Sequence, residues 1–521
     1  MHFSSLFVRA SALLLALLWL GACEAAPTTI ERDAEAPDDT EQGQRVDAAV
    51  DTAARLDARV HEPVARPSVD AAPSDEGPSW HRDVAPLLAE RCGACHQEGG
   101  VAPFSVATYE GAKPFAKTMA SAVERGTMPP FLAQEGPACE TALPWARDPR
   151  LSREEQALLR TWAEHGAPEG EASGAVPGLP TPGGLAREDL AVTLPREVVV
   201  EGSDDMHLCM VLDPRLDQDR YVLGTLTTPG NRKVVHHAKT MMLKPTSTAG
   251  LFGIGATPLA KPDFIAQVEQ YTGARLGEIY ECKTGEKLAA VPQEVLDVWA
   301  PGGGPRMAPN NAATFMPRDS LVLLNVHYHP IAQREVDATT SVRFQFADAK
   351  PSHVAQMVEI GGFQTDSPLA QGRLVAQPGE LSAAFKVPAG ASAHVEEMQF
   401  TWTAGNVRVY SLFPHMHYVG SDMHVSLQRL AGEQCLIHTP RWDFNWQLVY
   451  DYAGSLEQLP ELRTTDVIRV RCTYDNSMGN AALRRELDLR GLDAPEDVFY
   501  GEDSNKEMCI AFLGVTYPNF R

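Results

Sequence analysis

Two cysteines and a histidine at close spacing are the residues of this chain whose types point most directly to chemistry. They form the pentad CGACH at residues 92–96. In a Cys-x-x-Cys-His pentad, the two thiols add to the vinyl groups of a haem and the imidazole ligates its iron. Half of a zinc site or a thiol redox pair would use similar residues, but no second CxxC and no HxxxH lies nearby. We therefore expect one covalently bound haem c, held by Cys92, Cys95 and His96.

A haem iron bound to His96 needs a sixth ligand, and methionine is usual for electron transfer because it raises the reduction potential. Met128 lies in the segment GTMPPF at 126–131, where two prolines fix the loop that follows it. Met119 is the alternative, but its surroundings predict a helix interior, where methionine usually serves packing. We expect Met128 to be the ligand.

Helical patterns on both sides of the pentad must position it. The segment DVAPLLAER at 83–91 places apolar residues on one face directly before the first cysteine. Ser152 predicts an N-cap with Glu155 as its capping-box partner, followed by a helix through His165. With its CGACH and MPPF motifs, this part of the chain resembles small class I cytochrome c domains, in particular bacterial ones fused to other redox enzymes. The resemblance implies a small all-α haem domain.

Beyond a Pro/Gly-rich segment at 166–184, the pattern changes to short β-branched runs. Gly, Pro, Asp and Asn separate these runs, which is typical of an antiparallel β-sandwich. The clearest runs are Val198–Val200, Tyr221–Leu226, Ser320–Val326 and Val467–Val470. The chain after Trp80 is too long for one hydrophobic core, so we expect two or three domains.

Histidines cluster in three of the predicted strands. The clusters are His236 with His237, His327 with His329, and His415 with His417. Residues i and i+2 of a strand face the same side, so His415 and His417 can bind one metal ion directly. His236 and His237 are adjacent and would face opposite sides, so both can bind only at a strand end or a bulge. A lone histidine here would be a hydrogen-bonded structural residue, but three clusters without thiolate suit copper, zinc or iron.

From about residue 190 to 521, the chain resembles the copper type II, ascorbate-dependent monooxygenases, the family of peptidylglycine α-hydroxylating monooxygenase and dopamine β-monooxygenase. The resemblance rests on an adjacent histidine pair, a later VHY strand, a His-x-His pair and the sequence KEMC, in the family's order and at similar spacing. It implies two β-sandwich domains that each hold one copper ion and face each other across a solvent-filled cleft. The first copper would be bound by His236, His237 and His327, and the second by His415, His417 and Met508.

The same resemblance implies how the two sites divide the work. A soft thioether stabilises Cu(I), so the site with Met508 is where O₂ would bind and a substrate C–H would be hydroxylated. His415, His417 and Met508 are thus the expected catalytic residues, while the all-histidine site would store and deliver the second electron. Relatives in animals take electrons from ascorbate, whereas the haem of this chain could pass them to copper one at a time. His329 has no counterpart in the family, and we interpret it as a strand-end or supporting residue.

The substrate positions differ from those of the peptide-amidating members. Those enzymes hold the substrate carboxylate with an arginine two residues before the His-x-His pair, where this chain has Phe413. They also place Asn and Tyr where this chain has Ile510 and Phe512. A pocket lined by these three side chains has lost the charge and hydrogen bonds that recognise a C-terminal glycine. We expect a small apolar or aromatic substrate and no hydroxylation of peptidylglycine, although the same residues could instead serve packing.

The resemblance also implies disulfide bonds. In the family, the cysteine after the ligand methionine pairs with one on an earlier strand. The implied pairs are Cys472 with Cys509 in the second copper domain and Cys209 with Cys282 in the first. Cys139 and Cys435 remain, and they either bridge the haem domain to the second copper domain or stay free.

The N-terminal residues predict export. Arg9 precedes an apolar run at 10–20 that is too short for a relaxed bilayer span and typical of a signal peptide. The run ends in LGAC, which resembles the lipobox of bacterial lipoproteins and implies lipidation of Cys23. The alternative is an ordinary secretory signal cleaved near Ala22 or Ala26. Both suit haem attachment and disulfides in an oxidising compartment. We expect a periplasmic or cell-surface protein of a Gram-negative-type bacterium, anchored to the outer membrane by lipid only.

Residues 24–78 contain no aromatic residue and 14 acids against 5 arginines. Such a segment cannot bury enough apolar surface to offset the entropy of ordering, so we expect a disordered acidic tether. The whole chain carries a formal charge of −23. This charge argues against nucleic acid as a partner.

These predictions divide the chain into signal peptide, tether, haem domain, linker and two copper-binding sandwiches. The expected bounds are 1–23, 24–78, 79–170, 171–190, 191–348 and 349–521. The expected function is hydroxylation of an unactivated or benzylic C–H of a small organic molecule with O₂, with an ascorbate-like reductant or a redox protein as electron donor. One alternative is a non-catalytic haem and copper protein for electron transfer or copper carriage. Another is a carbohydrate- or protein-binding module with incidental histidines, which would hold no copper.

Overall fold

The computed structural model describes most of the chain after the predicted tether. The described ranges are 77–98, 102–134, 136–172, 184–202, 204–245, 258–282, 291–331, 333–361, 370–376, 384–501 and 503–520. The predicted signal peptide with Cys23, nearly all of the predicted tether and residues 173–183 of the predicted linker lie outside these ranges. Within them, no helix is long and apolar enough to cross a membrane.

The first described segment is helical, as its pattern predicts. Its helices are α1 (Ala85–Arg91), α2 (Tyr109–Ala112), α3 (Ala116–Glu124) and α4 (Arg153–Glu164), with a π-helical turn at Trp80–Val84 and a 3₁₀ turn at Lys113–Phe115. The hydroxyl of Ser152 accepts from the N–H of Glu155, whose carboxylate accepts from the N–H of Ser152. This confirms the predicted capping box. Trp80, Leu88 and Trp162 are buried in a core that the segment builds for itself.

Two groups of strands follow the helical segment. The first group is β1 (Leu190–Thr193), β2 (Val198–Val200), β3 (Met206–Leu212), β4 (Arg220–Thr228), β5 (Val235–Leu243), β6 (Ile279–Glu281), β7 (Gln293–Trp299), β8 (Arg306–Met307), β9 (Ala312–Met316), β10 (Leu321–Tyr328), β11 (Glu335–Asp337) and β12 (Ser341–Phe346), with helix α5 (Lys261–Thr272) before β6. The second group is β13 (His353–Gly361), β14 (Ala370–Leu374), β15 (Lys386–Val387), β16 (His394–Trp402), β17 (Val407–His415), β18 (Gly420–Arg429), β19 (Gly432–Thr439), β20 (Tyr450–Asp451), β21 (Glu461–Leu462), β22 (Val467–Tyr474), β23 (Val498–Phe499) and β24 (Ile510–Pro518), with helix α6 (Ala481–Arg490) after β22. The four runs that the sequence predicted as strands lie in β2, β4, β10 and β22.

Each group of strands has two layers. In the first group, β1-β12-β4-β9 form one layer and β7-β5-β10-β3-β6 form the other. Side chains from both layers meet in one buried cluster that includes Met210, Trp299 and Phe344. In the second group, β13, β24 and β17 oppose the sheet β14-β16-β22-β18-β19 around a cluster that includes Trp402 and Val470. Paired layers around an apolar core are the arrangement of β-sandwiches.

Strand β13 joins the two groups into one continuous sheet. It pairs in parallel with β9 through His353 and Val354, and it pairs with β7 at Met357. The parallel contact departs from the expected all-antiparallel pairing. A third buried cluster contains side chains of β3, β5 and β10 together with Phe413 and Phe512 from β17 and β24. The chain is therefore mostly β with several sheets, and an apolar contact fixes one group of strands against the other.

Candidate metal centre

A bulge turns the first histidine pair toward one side. Tyr328 of β10 pairs with Val235 and His327 pairs with His237, so His236 is an extra residue in β5 without a partner in this register. A bulge re-aims the side chains beside it. The structure thus has the bulge that the sequence predicted to be necessary if this adjacent pair is to bind one metal ion.

Three imidazole nitrogens converge at this bulge. The Nδ1 atom of His237 lies 3.1 Å from Nδ1 of His236 and 3.3 Å from Nδ1 of His327. One ring nitrogen offers either one proton or one lone pair, so Nδ1 of His237 cannot satisfy both neighbours by hydrogen bonding. Burial lowers the pKa of His236 and of His237 well below the ordinary imidazole range. Neutral imidazoles with converging lone pairs are a ligand set for a metal ion.

A carboxylate that the sequence did not single out supports this group. Oδ2 of Asp205 lies 3.1 Å from Nε2 of His327, and its Oδ1 lies 2.7 Å from Nδ1 of His329. The Ser504 hydroxyl, from the segment before Met508, also donates to Asp205. Although burial opposes it, hydrogen bonds from the two histidines hold the pKa of Asp205 below its usual range. Asp205 thus contacts both histidines, so that His329 supports the carboxylate and the carboxylate orients the ring of His327.

His207 is a second residue that sequence reasoning missed. It lies on β3 directly opposite His327 of β10, and the two rings stack with centroids 4.3 Å apart. Asp205, His207 and His327 offer ligand atoms within 4.8 Å of one another, as His236, His237 and His327 also do. The sequence signal for His207 is its place two residues before Cys209, on a strand expected to hold a disulfide.

The second histidine set lies at the end of β17. His415 is the last residue of this strand, and the rings of His415 and His417 lie 5.1 Å apart. Nδ1 of His415 lies 2.6 Å from Oε1 of Gln447, and Nδ1 of His417 lies 3.0 Å from the carbonyl oxygen of Lys506. Burial lowers the pKa of His415 to about 4 and that of His417 well below its ordinary value. With both Nδ1 atoms donating to protein oxygens, each ring keeps Nε2 for a ligand.

The buried carboxylate of Glu507 ties Met508 to these histidines. Its Oε2 accepts from the N–H groups of His417 and Met508, at 2.9 and 3.2 Å. Its Oε1 accepts from Val419 at 2.9 Å and from Gly420 at 3.2 Å. Burial raises the pKa of Glu507 to about 8, while the four N–H donors oppose this shift. The backbone of Met508 is thereby held beside the His-x-His turn.

Two further bonds fix the Met508 segment. The hydroxyl of Tyr474 donates to the carbonyl of Met508 at 2.9 Å. Cys509 forms a disulfide with Cys472 of β22, as the resemblance implied. The other implied pair, Cys209 with Cys282, is also formed.

The two histidine sets lie next to each other. The ring centroids of His237 and His415 are 6.0 Å apart. The ring of Phe444 stacks on His236 at 4.3 Å and lies 6.1 Å from the ring of His417. The solvent-filled cleft that the resemblance implies is therefore not the arrangement of this structure, in which one aromatic ring contacts both sets.

The proposed substrate-facing residues serve packing here. Phe413, Ile510 and Phe512 are at most 5% exposed and belong to the apolar cluster between the two groups of strands. The ammonium group of Lys239 lies over the Phe512 ring, 4.9 Å from its centroid. This matches the packing alternative that the sequence left open.

The CGACH pentad follows α1 directly, and its side chains are available for attachment. Cys92 and Cys95 form no disulfide with each other. Nδ1 of His96 lies 3.2 Å from the carbonyl oxygen of Phe104, which leaves Nε2 for a metal ligand. Burial raises the pKa of the Cys92 thiol to about 12. Met128 and Cys92 pack against the same apolar cluster.

Met119 is buried in the interior of α3, as its pattern predicts. Met128 stays a prediction as the sixth ligand.

The segment after Met128 connects the helical region to the second group of strands. The ring of Phe131 packs on that of Tyr450 with centroids 5.1 Å apart, and the ring of Trp145 stacks on that of Tyr452 with centroids 4.8 Å apart. Cys139 forms a disulfide with Cys435 of β19. Of the two alternatives for these cysteines, the structure has the bridge.

Comparisons with known proteins identify no relative. No protein-family model matches the chain, and no curated protein matches it. Among solved structures, it is similar to a Paenibacillus xanthan lyase at 9% identity over 66% of this chain and 28% of that one, with a TM-score of 0.17. It is similar to an allantoicase at 11% identity over 54% of this chain and 77% of that one, with a TM-score of 0.14. It is similar to T=1 particles derived from infectious bursal virus at 9% identity over 65% of this chain and 72% of that one, with a TM-score of 0.15.

The chain thus spans about a quarter of the length of the xanthan lyase that it matches. Similarity at these TM-scores carries no argument about fold or function. The function has to be argued from the residues themselves.

Proposed function

We propose that this protein is an exported copper-dependent monooxygenase with its own cytochrome c segment. The observation that carries the proposal is the convergence of the Nδ1 atoms of His236, His237 and His327 next to a second set of histidines. The ring centroids of His237, in the first set, and His415, in the second, are 6.0 Å apart. Two adjacent imidazole sets with different third ligands fit two copper ions with different roles.

The donor atoms of the first set fit a copper ion. His236, His237 and His327 would hold it through nitrogen, because their Nδ1 atoms already point at one another. Asp205 supports this set because its Oδ2 lies 3.1 Å from Nε2 of His327, the ring nitrogen that does not face the other two histidines. Such outer partners fix ring orientation and raise ligand basicity.

The donor atoms of the second set fit a softer copper site. His415 and His417 would bind through Nε2, since their Nδ1 atoms are in contact with protein oxygens. The backbone of Met508 is held beside them by Glu507. A copper ion bound there would supply one-electron chemistry and a binding place for O₂. The buried side chains of His417 and Phe444, and the ring of Phe413 stacked on His415, limit the access of water to this place.

The pentad fits a covalently attached haem. Cys92 and Cys95 are free, while six other cysteines of the described chain are paired. His96 would ligate the iron through Nε2, with its orientation set by the Phe104 carbonyl. Met128 is the proposed sixth ligand. The haem would supply single electrons from an external reductant or redox protein.

The disulfide bonds support export from the cytoplasm. Three disulfides form within the described residues, and disulfides persist in oxidising compartments. We propose a periplasmic or cell-surface location with a lipid anchor at Cys23. Growth of cells with labelled palmitate and recovery of label only in protein that retains Cys23 tests this anchor.

One observation favours a second candidate function. The rings of His237 and His415 are 6.0 Å apart, and Phe444 lies between His236 and His417, which leaves little room for a substrate between the two sets. A haem and copper protein that only transfers electrons would need no such room. The two candidates differ in whether oxygen enters a product.

Isotope labelling tests the monooxygenase directly. The protein lacking residues 1–23, matured with haem and loaded with Cu(II), is incubated with ¹⁸O₂, ascorbate and a panel of small alkyl-aromatic compounds. The proposal expects one ¹⁸O atom in a hydroxylated product, lost in the Met508→Ala variant, and no product from a glycine-extended peptide. Consumption of O₂ without labelled product across the panel would favour the electron-transfer alternative.

A further inference from the structure

A short loop contacts both histidine sets and the surroundings of the haem-attachment cysteines. This loop, Asp443–Leu448, lies between β19 and β20 and is called the 443–448 loop below. It holds two aromatic residues, Phe444 and Trp446, on either side of Asn445. Sequence reasoning gave it no role, because it contains no histidine, cysteine or methionine.

One end of the loop lies near Cys95. A Cβ atom placed on Gly302 would lie 3.7 Å from Sγ of Cys95 and 4.0 Å from both Cζ3 of Trp446 and Cδ2 of Leu448. The three side chains therefore lie around one point beside Gly302, which follows β7 of the first group of strands. The backbone φ of Gly302 is +88°, so glycine is favoured there for its conformation.

The other end of the loop reaches the first histidine set. The buried ring of Phe444 stacks on His236 with centroids 4.3 Å apart and planes inclined by 18°. Its other ring neighbours are Tyr418 at 4.1 Å and His417 at 6.1 Å. Phe444 is thus in face-to-face contact with the first set and only edge-on to the second.

The loop is held firmly in this place. The amide of Gln447 donates from Nε2 to the carbonyl of Phe444 at 3.0 Å, while its Oε1 lies 2.6 Å from Nδ1 of His415. The N–H of Trp446 donates to the carbonyl of Asp443 at 3.0 Å, which closes a tight turn. The Cys139–Cys435 disulfide and the Trp145–Tyr452 stack hold the helical region against the strands on either side of the loop.

We propose that the 443–448 loop carries electrons from the haem at Cys95 to the first histidine set, with Trp446 and Phe444 as the aromatic contacts. The proposal rests on the proposed function, because it needs haem at the pentad and copper at the histidines. In this step a ferrous haem attached at Cys92 and Cys95 would lose one electron and become ferric, and a Cu(II) ion held by His236, His237 and His327 would gain it and become Cu(I). No bond forms or breaks, and no proton moves.

The ring of Phe444 leads to the first set. Its stacked contact with His236 is shorter than its edge contact with His417, and electron-transfer rates fall steeply with distance. The loop also touches the second set through Gln447, whose Oε1 lies 2.6 Å from Nδ1 of His415, and the proposed route is the one through the aromatic rings. The second set is then reached across the 6.0 Å between the rings of His237 and His415.

Flash photolysis of the holoprotein tests the route without turnover. Anaerobic protein with ferric haem and Cu(II) is given a sub-stoichiometric pulse of a photogenerated flavin reductant, and the decay of the ferrous haem α-band is followed. We expect fast decay in the parent protein and none in copper-depleted protein. Phe444→Leu and Trp446→Leu should each slow the decay about tenfold, a change of ~1.4 kcal/mol in the barrier. Trp446→Phe, which keeps a ring, should restore most of the rate.

Phe400→Leu is the matched control. Its side chain is buried in the core of the second group of strands, on β16, where Phe400 pairs with Gly372 of β14 and Ile468 of β22, neither of which belongs to a histidine set. This variant should decay at the parent rate. Iron and copper are counted in every variant, and the Cu(II) electron paramagnetic resonance spectrum checks that the first set is intact.

The outcomes separate the route from the function. A parent protein that cannot be loaded with one iron and two coppers overturns the proposed function and the route with it. A fully loaded parent protein in which Phe444→Leu and Trp446→Leu leave the decay unchanged overturns the route alone. Absence of copper-dependent decay in the loaded parent protein also overturns the route.

Discussion

The two histidine sets are adjacent in space but are built in opposite ways. In the first set, the Nδ1 atoms of three rings approach one another, and the carboxylate of Asp205 lies behind one of them. In the second set, both Nδ1 atoms contact protein oxygens, those of Gln447 and the Lys506 carbonyl. One set exposes Nδ1 to a metal ion, and the other exposes Nε2.

This difference follows from the strands. A β-bulge at His236 places three rings from two neighbouring strands, β5 and β10, side by side at short range. The end of β17 supplies two rings, and the third ligand must then come from another segment, the one that Glu507 and the Cys472–Cys509 disulfide hold in place. The first set is therefore local to one sheet, whereas the second depends on tertiary contacts. Each prediction below perturbs one set and uses the other as its reference.

The largest effect is expected from Glu507→Ala. It leaves the buried N–H groups of His417, Val419 and Met508 without their acceptor, while the N–H of Gly420 keeps the carbonyl of His417, and each unsatisfied donor costs ~1–3 kcal/mol. We expect the free energy of unfolding to fall by at least about 3 kcal/mol, with loss of the second copper and retention of the first. Urea unfolding and copper counting by mass spectrometry measure both.

Glu396→Ala is its control. Glu396 is also a buried carboxylate of the second group of strands, and it accepts from Lys386 and His394. This variant should lose stability but keep both coppers. If Glu507→Ala does not fold, Glu507→Gln serves in its place, and retention of full copper affinity at the second set would contradict the role of Glu507.

A smaller effect is expected from Asp205→Asn. The substitution keeps the shape of the side chain but removes the charge that faces His327 and His329. Loss of such a partner typically costs about 10- to 100-fold in metal affinity. Competition with a chelator should show this loss at the first set only. Equal weakening of both sets would mean that Asp205 acts through the general fold instead of through His327.

Gln447→Leu is expected to lower the copper affinity of the second set about tenfold, because Gln447 is a single neutral partner of His415. The same chelator titration measures it. Gln434→Leu is the control. Gln434 lies on β19, where its side-chain oxygen accepts from Arg429 of β18 instead of from a histidine of either set. A variant that weakened the first set more than the second would break the assignment of Gln447 to His415.

The smallest effect is expected from His207→Phe. The ring stack on His327 is kept, while the imidazole nitrogens are removed. We expect the copper content and the first-set spectrum to stay as in the parent protein. Loss of one copper would instead place the metal among Asp205, His207 and His327, the other cluster of ligand atoms at this point.

The sequence predicted the elements better than their contacts. The capping box at Ser152 and the strands β2, β4, β10 and β22 were predictable because helix capping and strand periodicity are local properties. The need for a bulge at His236 was also predictable, since adjacent side chains of a regular strand face opposite sides.

Long-range contacts were harder to predict. Asp205, Gln447 and Phe444 act through partners far away in the chain, and their residue types occur in many surface loops. The bridge between Cys139 and Cys435 remained an alternative for the same reason, because only the fold shows that the two meet. The closed arrangement of the two sets depends on the apolar contact between both groups of strands, which no local pattern encodes.

The number of iron and copper ions per chain, in the parent protein and in Met508→Ala, decides whether the two histidine sets are two copper sites. The protein lacking residues 1–23 is matured with haem, loaded with Cu(II) and freed of excess metal. We predict one iron and two coppers, with one copper lost in Met508→Ala while the first set keeps its Cu(II) spectrum. One copper or none in the parent protein, or two retained in Met508→Ala, would contradict it.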